Sequence, residues 1–380
     1  MTTVTAPAPT VRRAEARDAA ALAALFADPA MLPFTPLAPF SSASHWERRL
    51  ADYADACCLP LLAFAGEVLV GVLLLRAFPN HVRRKHQAQL DLLAVCPDHR
   101  RRGVGRALLT TALTACDEAL QLRRIEVDVP RRPGGRPDRE TTPLERFYAS
   151  FGFVGEGVKR CDVMQWGAYA DSAVLARTQR AVLPAPTSPP LPPVKRSRRR
   201  AVKFSIRAAT EEDAEGFADV FADRSASLGT LQHPYGDAAT WRARLAAPPA
   251  GNRHALFVAI VNGQVVGHAG AHPLSDNPRQ RHVCGVGITI ASRYQGVGIG
   301  RALMAALLDF ADRWANYSRV ELTVHADNLR AIQLYESLGF AHEGCHREFS
   351  FRDGGYADAL FMARLSPALL AARSANTVAR

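Results

Sequence analysis

The sequence predicts two tandem α/β domains, each a mixed, mostly antiparallel sheet flanked by helices, and three observations carry that prediction. First, the chain repeats itself. The glycine loops Arg100-Arg101-Arg102-Gly103-Val104-Gly105 and Gln295-Gly296-Val297-Gly298-Ile299-Gly300 lie 195 residues apart, as do the Trp-x-x-Arg-Leu segments at Trp46 and Trp241. Farther on, Phe147-Tyr148-Ala149-Ser150-Phe151-Gly152-Phe153 matches Leu334-Tyr335-Glu336-Ser337-Leu338-Gly339-Phe340 at an offset of 187, so the first copy carries about eight extra residues before that point. Three matches in one order indicate duplication. Second, 380 residues suffice for two domains with cores of their own. Third, residues 184–203 hold six prolines and then Lys195, Arg196, Arg198, Arg199, Arg200 and Lys203 without an acid, a composition that predicts an extended, solvated linker. The expected boundaries are a tail at 1–9, a first domain at 10–170, the linker at 171–203, a second domain at 204–368 and a tail at 369–380.

Each half reads in the same element order. A first strand (Thr10 to Arg13; Phe204 to Arg207) precedes an alanine-rich amphipathic helix, which Thr210-Glu211-Glu212-Asp213 opens in the second half with a capping threonine and acids at the positive helix end. The Trp segment and a hairpin follow. In the second half Asn262-Gly263 between two apolar runs is a strong hairpin signal. A strand ending at Val95 or Ile290 then leads into the glycine loop and a helix with apolar residues at Leu108, Leu109 and Leu113 or Leu303, Leu307 and Phe310. Next come a β-branched strand (Arg124 to Val129; Arg319 to Val324), a short helix bearing the matched tyrosine, and closing strands.

Charge and composition exclude several partners. The formal net charge is +11, but the six basic linker residues supply more than half of it, and no aromatic side chains interleave with them, so nucleic acid is not expected as a partner. The most apolar stretch, Leu59 to Leu75, is broken by Gly66-Glu67 and Gly71 and reads as a hairpin, so no membrane partner is expected. Residues 1–10 lack a hydrophobic signal core, and the seven cysteines show no metal-like spacing. A cytoplasmic protein with reduced thiols is the expectation.

Packed between a strand and a helix start, the loop glycines let backbone N–H groups face an anion, where the helix dipole favours phosphate oxygens. Arg100, Gly103 and Gly105, and Gln295, Gly298 and Gly300, fit the pattern Arg/Gln-x-x-Gly-x-Gly/Ala. On these residues both halves resemble the GNAT superfamily of N-acetyltransferases. The second half resembles it from Phe204 to Leu365, and its segments at 230–235, Glu321-Leu322-Thr323-Val324, Asp327-Asn328 and Tyr335–Phe340 look like bacterial L-amino-acid N-acetyltransferases within it.

The resemblance implies acetyl-CoA as co-substrate, no metal, and transfer of acetyl to a primary amine, most simply a small molecule such as an L-amino acid, in a ternary complex. Its pyrophosphate cradle would comprise Gln295, Gly296, Val297, Gly298, Ile299, Gly300 and Arg301, with Ile290 at the strand end, and in the first half Val95 with Arg100, Arg101, Arg102, Gly103, Val104, Gly105 and Arg106. The resemblance makes Tyr335 the acid that protonates the leaving thiolate, with Tyr148 as its counterpart, and Asn328 a cofactor contact.

Counting back seven residues from Tyr148 reaches Thr141 rather than an asparagine, and an Arg-Arg-Pro-Gly-Gly-Arg-Pro insertion (131–137) intervenes, so the first acceptor site is expected to be remodelled or lost. For the base, strand alternation places Glu321, Thr323 and His325 on one face, making Glu321 and His325 candidates, with Asp91 in the first half. His342 and His346 fall in a predicted strand, which argues against a metal pair. Open alternatives are a polyamine, antibiotic or protein-lysine acceptor, a first half serving as an acyl-CoA-sensing or dimerisation module, and a homodimer.

Overall fold

A computed structural model of the chain describes residues 9–32, 35, 37, 41–133, 141–179, 187, 189–191, 202–247, 253–275 and 277–371. Two compact units meet in the chain between Pro184 and Ala185. The first contains β1 (Thr10–Arg13), α1 (Ala19–Leu25), α2 (Ala43–Ala51), β2 (Leu59–Ala65), β3 (Val68–Ala77), β4 (Gln87–Val95), α3 (Val104–Thr114), β5 (Arg124–Pro130), α4 (Pro143–Ala149), β6 (Val154–Gln165) and β7 (Ala168–Thr178). Its strands run β1-β2-β3-β4-β5-β7-β6. Among the described residues of this unit only β4 and β5 pair in parallel.

The second unit repeats this plan with β8 (Ser205–Ala208), α5 (Ala214–Ala222), α6 (Arg224–Leu228), α7 (Ala238–Ala246), β9 (Ala255–Val261), β10 (Gln264–Pro273), β11 (Val283–Ile290), α8 (Ile299–Arg313), β12 (Arg319–His325), α9 (Leu329–Glu336), β13 (Ala341–Arg352) and β14 (Gly355–Leu365). The order is β8-β9-β10-β11-β12-β14-β13. Here β11 and β12 are the parallel pair. The Asn262-Gly263 hairpin forms as expected between β9 and β10, both turn residues taking positive φ (50° and 78°) as its two-residue turn requires. Leu59 to Leu75 likewise forms the β2–β3 hairpin. Among the described residues no helix is long and apolar enough to cross a membrane.

Each sheet buries both faces. In the second unit α8 packs Leu303, Met304 and Leu307 with Tyr335 of α9 against Val286, Val320, Leu322 and Val324. On the other face Phe217 and Phe221 of α5 pack with Trp241 on Val258. Burying one such large side chain contributes about 2 kcal/mol.

The central feature of each sheet is that its parallel pair parts. β11 and β12 are registered only from Val283↔Arg319 to Gly285↔Glu321, although β11 continues to Ile290 and β12 to His325. In the first unit the last parallel pair is Leu90↔Val127. There β4 carries an extra residue, Asp91, since Leu74 faces Leu92 while Leu75 faces Leu90. Past these points a cleft opens between two strands, and the glycine loop stands at its mouth.

The duplication extends to ion pairs. Arg12–Asp18 recurs as Arg207–Asp213, and Arg124 with Glu126 and Glu156 recurs as Arg319 with Glu321 and Glu343. Two expectations are corrected. The first domain does not end at residue 170, because β7 runs to Thr178 and is hydrogen-bonded to both β5 and β6. Nor does the linker stand wholly apart from the second domain, although Thr187 and Pro189 are exposed: Thr187 forms a bridge with Tyr356, and Pro189 and Leu191 are hydrogen-bonded to residues of that domain. The basic run at 195–200 and residues 134–137 of the insertion lie outside the described residues.

Candidate active site

In the second unit the glycine loop follows a 3-10 turn at Ser292–Tyr294. Gly296 (φ 82°) and Gly298 (φ 96°) take left-handed conformations that steer the chain into α8. The first bond inside the helix is Ala302 N–H to Gly298 O at 3.1 Å, which leaves the N–H groups of Ile299, Gly300 and Arg301 without a helical partner. A Cβ on Gly298 would meet nothing within 4 Å, so the space over the loop is open. At Gly296 a Cβ would fall 2.1 Å from Nη2 of Arg330, so that guanidinium lies directly over the loop. Orphan donors, helix dipole and a cation together fit a pyrophosphate.

Gln295 also holds the loop in place. Its Nε2 donates to Ile290 O at 3.0 Å, tying the loop to the strand end. Arg100 does the same in the first unit, its Nε donating to Val95 O at 3.1 Å. These side chains brace the loop against the end of the preceding strand. The first loop otherwise matches, with Gly103 at φ 86° and the first helical bond from Ala107 N–H to Gly103 O at 2.9 Å, freeing the N–H groups of Val104, Gly105 and Arg106. It differs at Arg101, a non-glycine residue at φ 63° where the second loop has Gly296; such a residue costs about 1 kcal/mol in backbone strain. Arg102 is exposed.

Downstream of β12, Asn328 caps α9, its Oδ1 accepting from Ala331 N–H at 3.3 Å. Two turns along, Tyr335 is only 7% exposed, against Phe340, and burial raises its phenol well above the ordinary value. A raised phenol stays protonated and available as a donor. Tyr148 is buried in the same way between Phe147 and Phe153, with the same direction of shift. The cap before Tyr148, however, is Thr142, which accepts from Glu145 N–H at 3.1 Å; Thr141 is exposed. The first unit thus places its cap six residues before the tyrosine, where the second places it seven before.

The base candidates separate. Glu321 is the last paired residue before β12 leaves β11, and it accepts from Arg319 Nη2 at 2.8 Å, while Glu343 accepts from the same nitrogen at 2.6 Å. Glu321 is thus engaged in an ion pair below the point where the strands part. His325 and Thr323, beyond the parting, line a pocket with Gly229, Thr230, Leu231 and Phe349. The His325 Nε2 lies 2.7 Å from Ser350 Oγ. Glu321 and His325 therefore do not share the cleft as equals.

In the first unit Asp91 accepts from Tyr53 Oη and from Arg76 Nε at 2.9 Å. The position matching Thr323 is Asp128, whose carboxyl burial pushes up despite Lys159 Nζ at 2.7 Å. His342 pairs with Glu336 at 2.8 Å, while the ring of His346 stacks on Phe349 and Phe361. None of the seven cysteines forms a disulfide.

Arg330, Phe349 and Ser350 escaped the sequence reading. Arg330 had a signal, lying two residues after Asn328. Phe349 and Ser350 had none, because a bulge places them: His346 faces Ala359 and Ser350 faces Ala357, so β13 holds extra residues there, with Glu348 at φ 52°.

A cleft between parted parallel strands, with an anion cradle at its mouth and a buried tyrosine beside it, is the setting for a comparison with known proteins. A model of the acetyltransferase (GNAT) family matches residues 23–153 and again 202–340. The chain belongs to the acetyltransferase (GNAT) family. It is an acetyl-CoA-dependent N-acetyltransferase with two copies of the family domain. The L-amino acid N-acetyltransferase AaaT of Escherichia coli is 36% identical over 160 residues, 42% of this chain and 96% of that protein. The N-alpha-acetyltransferase RimI of Mycobacterium tuberculosis is 38% identical over 162 residues, 42% of this chain and 91% of its own. Among solved structures, yncA of Salmonella typhimurium with its cofactor acetyl-CoA is 22% identical, covers 43% of this chain and 94% of that one, and has a TM-score of 0.39.

Proposed function

We propose that the second domain acetylates the α-amine of a small L-amino acid by direct attack on acetyl-CoA in a ternary complex. The observation that carries the reading is the composition of its pocket: Gly229, Thr230, Leu231, Thr323, His325 and Phe349 include hydroxyls, an imidazole and an aromatic ring but no carboxylate. A polyamine site would need acids there to hold a second ammonium. An α-amine with a pKa near 8 is roughly one-tenth neutral at pH 7, whereas a lysine amine near 10.4 is far less so, and the site therefore needs little base strength. The similarity to AaaT supports the same acceptor class.

In this reading the N–H groups of Ile299, Gly300 and Arg301, with Arg330, hold the pyrophosphate, and Asn328 contacts the pantetheine arm. His325, fixed by Ser350, takes the amine proton. Tyr335 donates its proton to the departing CoA thiolate, whose intrinsic pKa of about 8.5 makes an adjacent acid useful. Holding amine and thioester in line supplies much of the remaining acceleration. The test follows CoA release by the intact chain with acetyl-CoA and a panel of L-amino acids, spermidine, aminoglycosides and a lysine peptide. Turnover is expected with one or more amino acids. Faster turnover of spermidine, an aminoglycoside or the peptide than of every amino acid would overturn the assignment.

A further inference from the structure

The linker takes part in the second domain's site. Within Pro189-Pro190-Leu191-Pro192-Pro193 the only backbone N–H belongs to Leu191, since proline has none. That single donor is used: it binds Asp327 Oδ2 at 2.8 Å. Asp327 also receives both arms of Arg352, Nη1 to Oδ1 at 3.1 Å and Nη2 to Oδ2 at 2.6 Å, and Nη2 binds Pro189 O at 3.0 Å. The Arg352 side chain is only 2% exposed. Linker, guanidinium and carboxylate thus close a ring of charge-assisted hydrogen bonds.

Its location gives the ring a function. Asp327 sits in the turn between β12 and α9, two residues after His325 and directly before Asn328. Arg352 lies two residues after Ser350 on β13, so Asp327–Arg352 and His325–Ser350 form two rungs spanning from β12 to β13. β14 lies between those strands, and its residues on that face are Ala357 and Ala359, small enough for the rungs to cross over it. The matching positions in the first domain are Arg132 and Gln165, which cannot form this ion pair.

We propose that Leu191, through Asp327 and Arg352, positions the turn bearing Asn328, making the linker a working part of the second domain's acetyl-CoA site. The inference rests on the reading that Asn328 contacts the cofactor. Leu191→Pro in the full chain removes the N–H in a segment that already has proline on both sides; Leu191→Ala keeps the N–H and is the control. Two readouts are taken: amide exchange of the segment 326–335, and the KM for acetyl-CoA with the amino acid turned over best. Leu191→Pro is expected to speed exchange and to raise KM roughly tenfold, the loss of one charge-assisted bond, with kcat little changed and Leu191→Ala like the parent. Unchanged exchange in Leu191→Pro overturns the clamp. Faster exchange with unchanged KM overturns the positioning role, and Asn328→Ala then locates the fault. A raised KM in Asn328→Ala means that the cofactor reading stands and only the linker's part fails; an unchanged KM means that the cofactor reading fails with it.

Discussion

Tyr335 and Tyr148 are both buried on matching helices, yet those helices begin differently. Asn328 caps the helix that carries Tyr335, and Arg330 crosses the loop facing it; the corresponding first-domain helix begins with Thr142 and Pro143. Replacing Tyr335 with Phe keeps the ring contact with Phe340 and removes only the hydroxyl. Turnover should fall about 100-fold while the KM for acetyl-CoA stays near the parent value, as for loss of a general acid. Tyr148→Phe should leave turnover of the amino acid unchanged. Steady-state kinetics of the two variants check both statements, and equal losses would remove the distinction between the domains. The placement of Tyr335 and Asn328 was legible because a seven-residue spacing sets them two turns apart at one helix. Phe349 and Ser350 were not, since their positions depend on a bulge that no local residue pattern announces.

At the scale of elements, the duplication made the order of elements along the chain and the loop placement readable, but not what each sheet face would tolerate. His268 on β10 shows this. Its ring stacks against Phe217 and Phe221 of α5 at centroid distances of 4.5 and 5.1 Å. Nδ1 and Nε2 are both buried without a hydrogen-bond partner among the described residues. Burial lowers its pKa from 6.5 to about 4. The neutral ring therefore packs as an aromatic, and the sign follows. Above pH 6.5 neither state is protonated, and His268 costs nothing. Between pH 6.5 and about 4 the unfolded chain takes up a proton that the folded chain refuses, so stability falls by up to about 1.4 kcal/mol per pH unit and then levels off. The full loss is on the order of 3 kcal/mol. In His268→Leu, urea midpoints for the second domain's transition should fall less between pH 7 and pH 5 than in the parent. Parallel midpoints in the two proteins would show that His268 is not the group responsible.

For the whole molecule, the repeated loops bear on how many cofactors one chain holds. The features that favour an anion are backbone features: a left-handed glycine before the helix, three N–H groups without helical partners, and a strand-end carbonyl tied back by Arg100 or Gln295. Because both copies have them, both should bind CoA, whatever has happened to the acceptor sites. The second loop adds Arg330 over Gly296, where the first has the strained Arg101, so the second should bind more tightly. Gly103 and Gly298 each have open space where a Cβ would stand and a φ that valine adopts only with strain. A valine there projects a branched side chain into the phosphate position, and the two variants can be compared without disturbing either core. Calorimetric titration of the intact chain with CoA should give two sites per chain, and either Gly103→Val or Gly298→Val should leave one. Amino acid acetylation should be lost in Gly298→Val and kept in Gly103→Val. One site in the parent would mean that the first loop has lost its cofactor despite its geometry, and loss of turnover in Gly103→Val would place the catalytic acceptor site in the first domain instead.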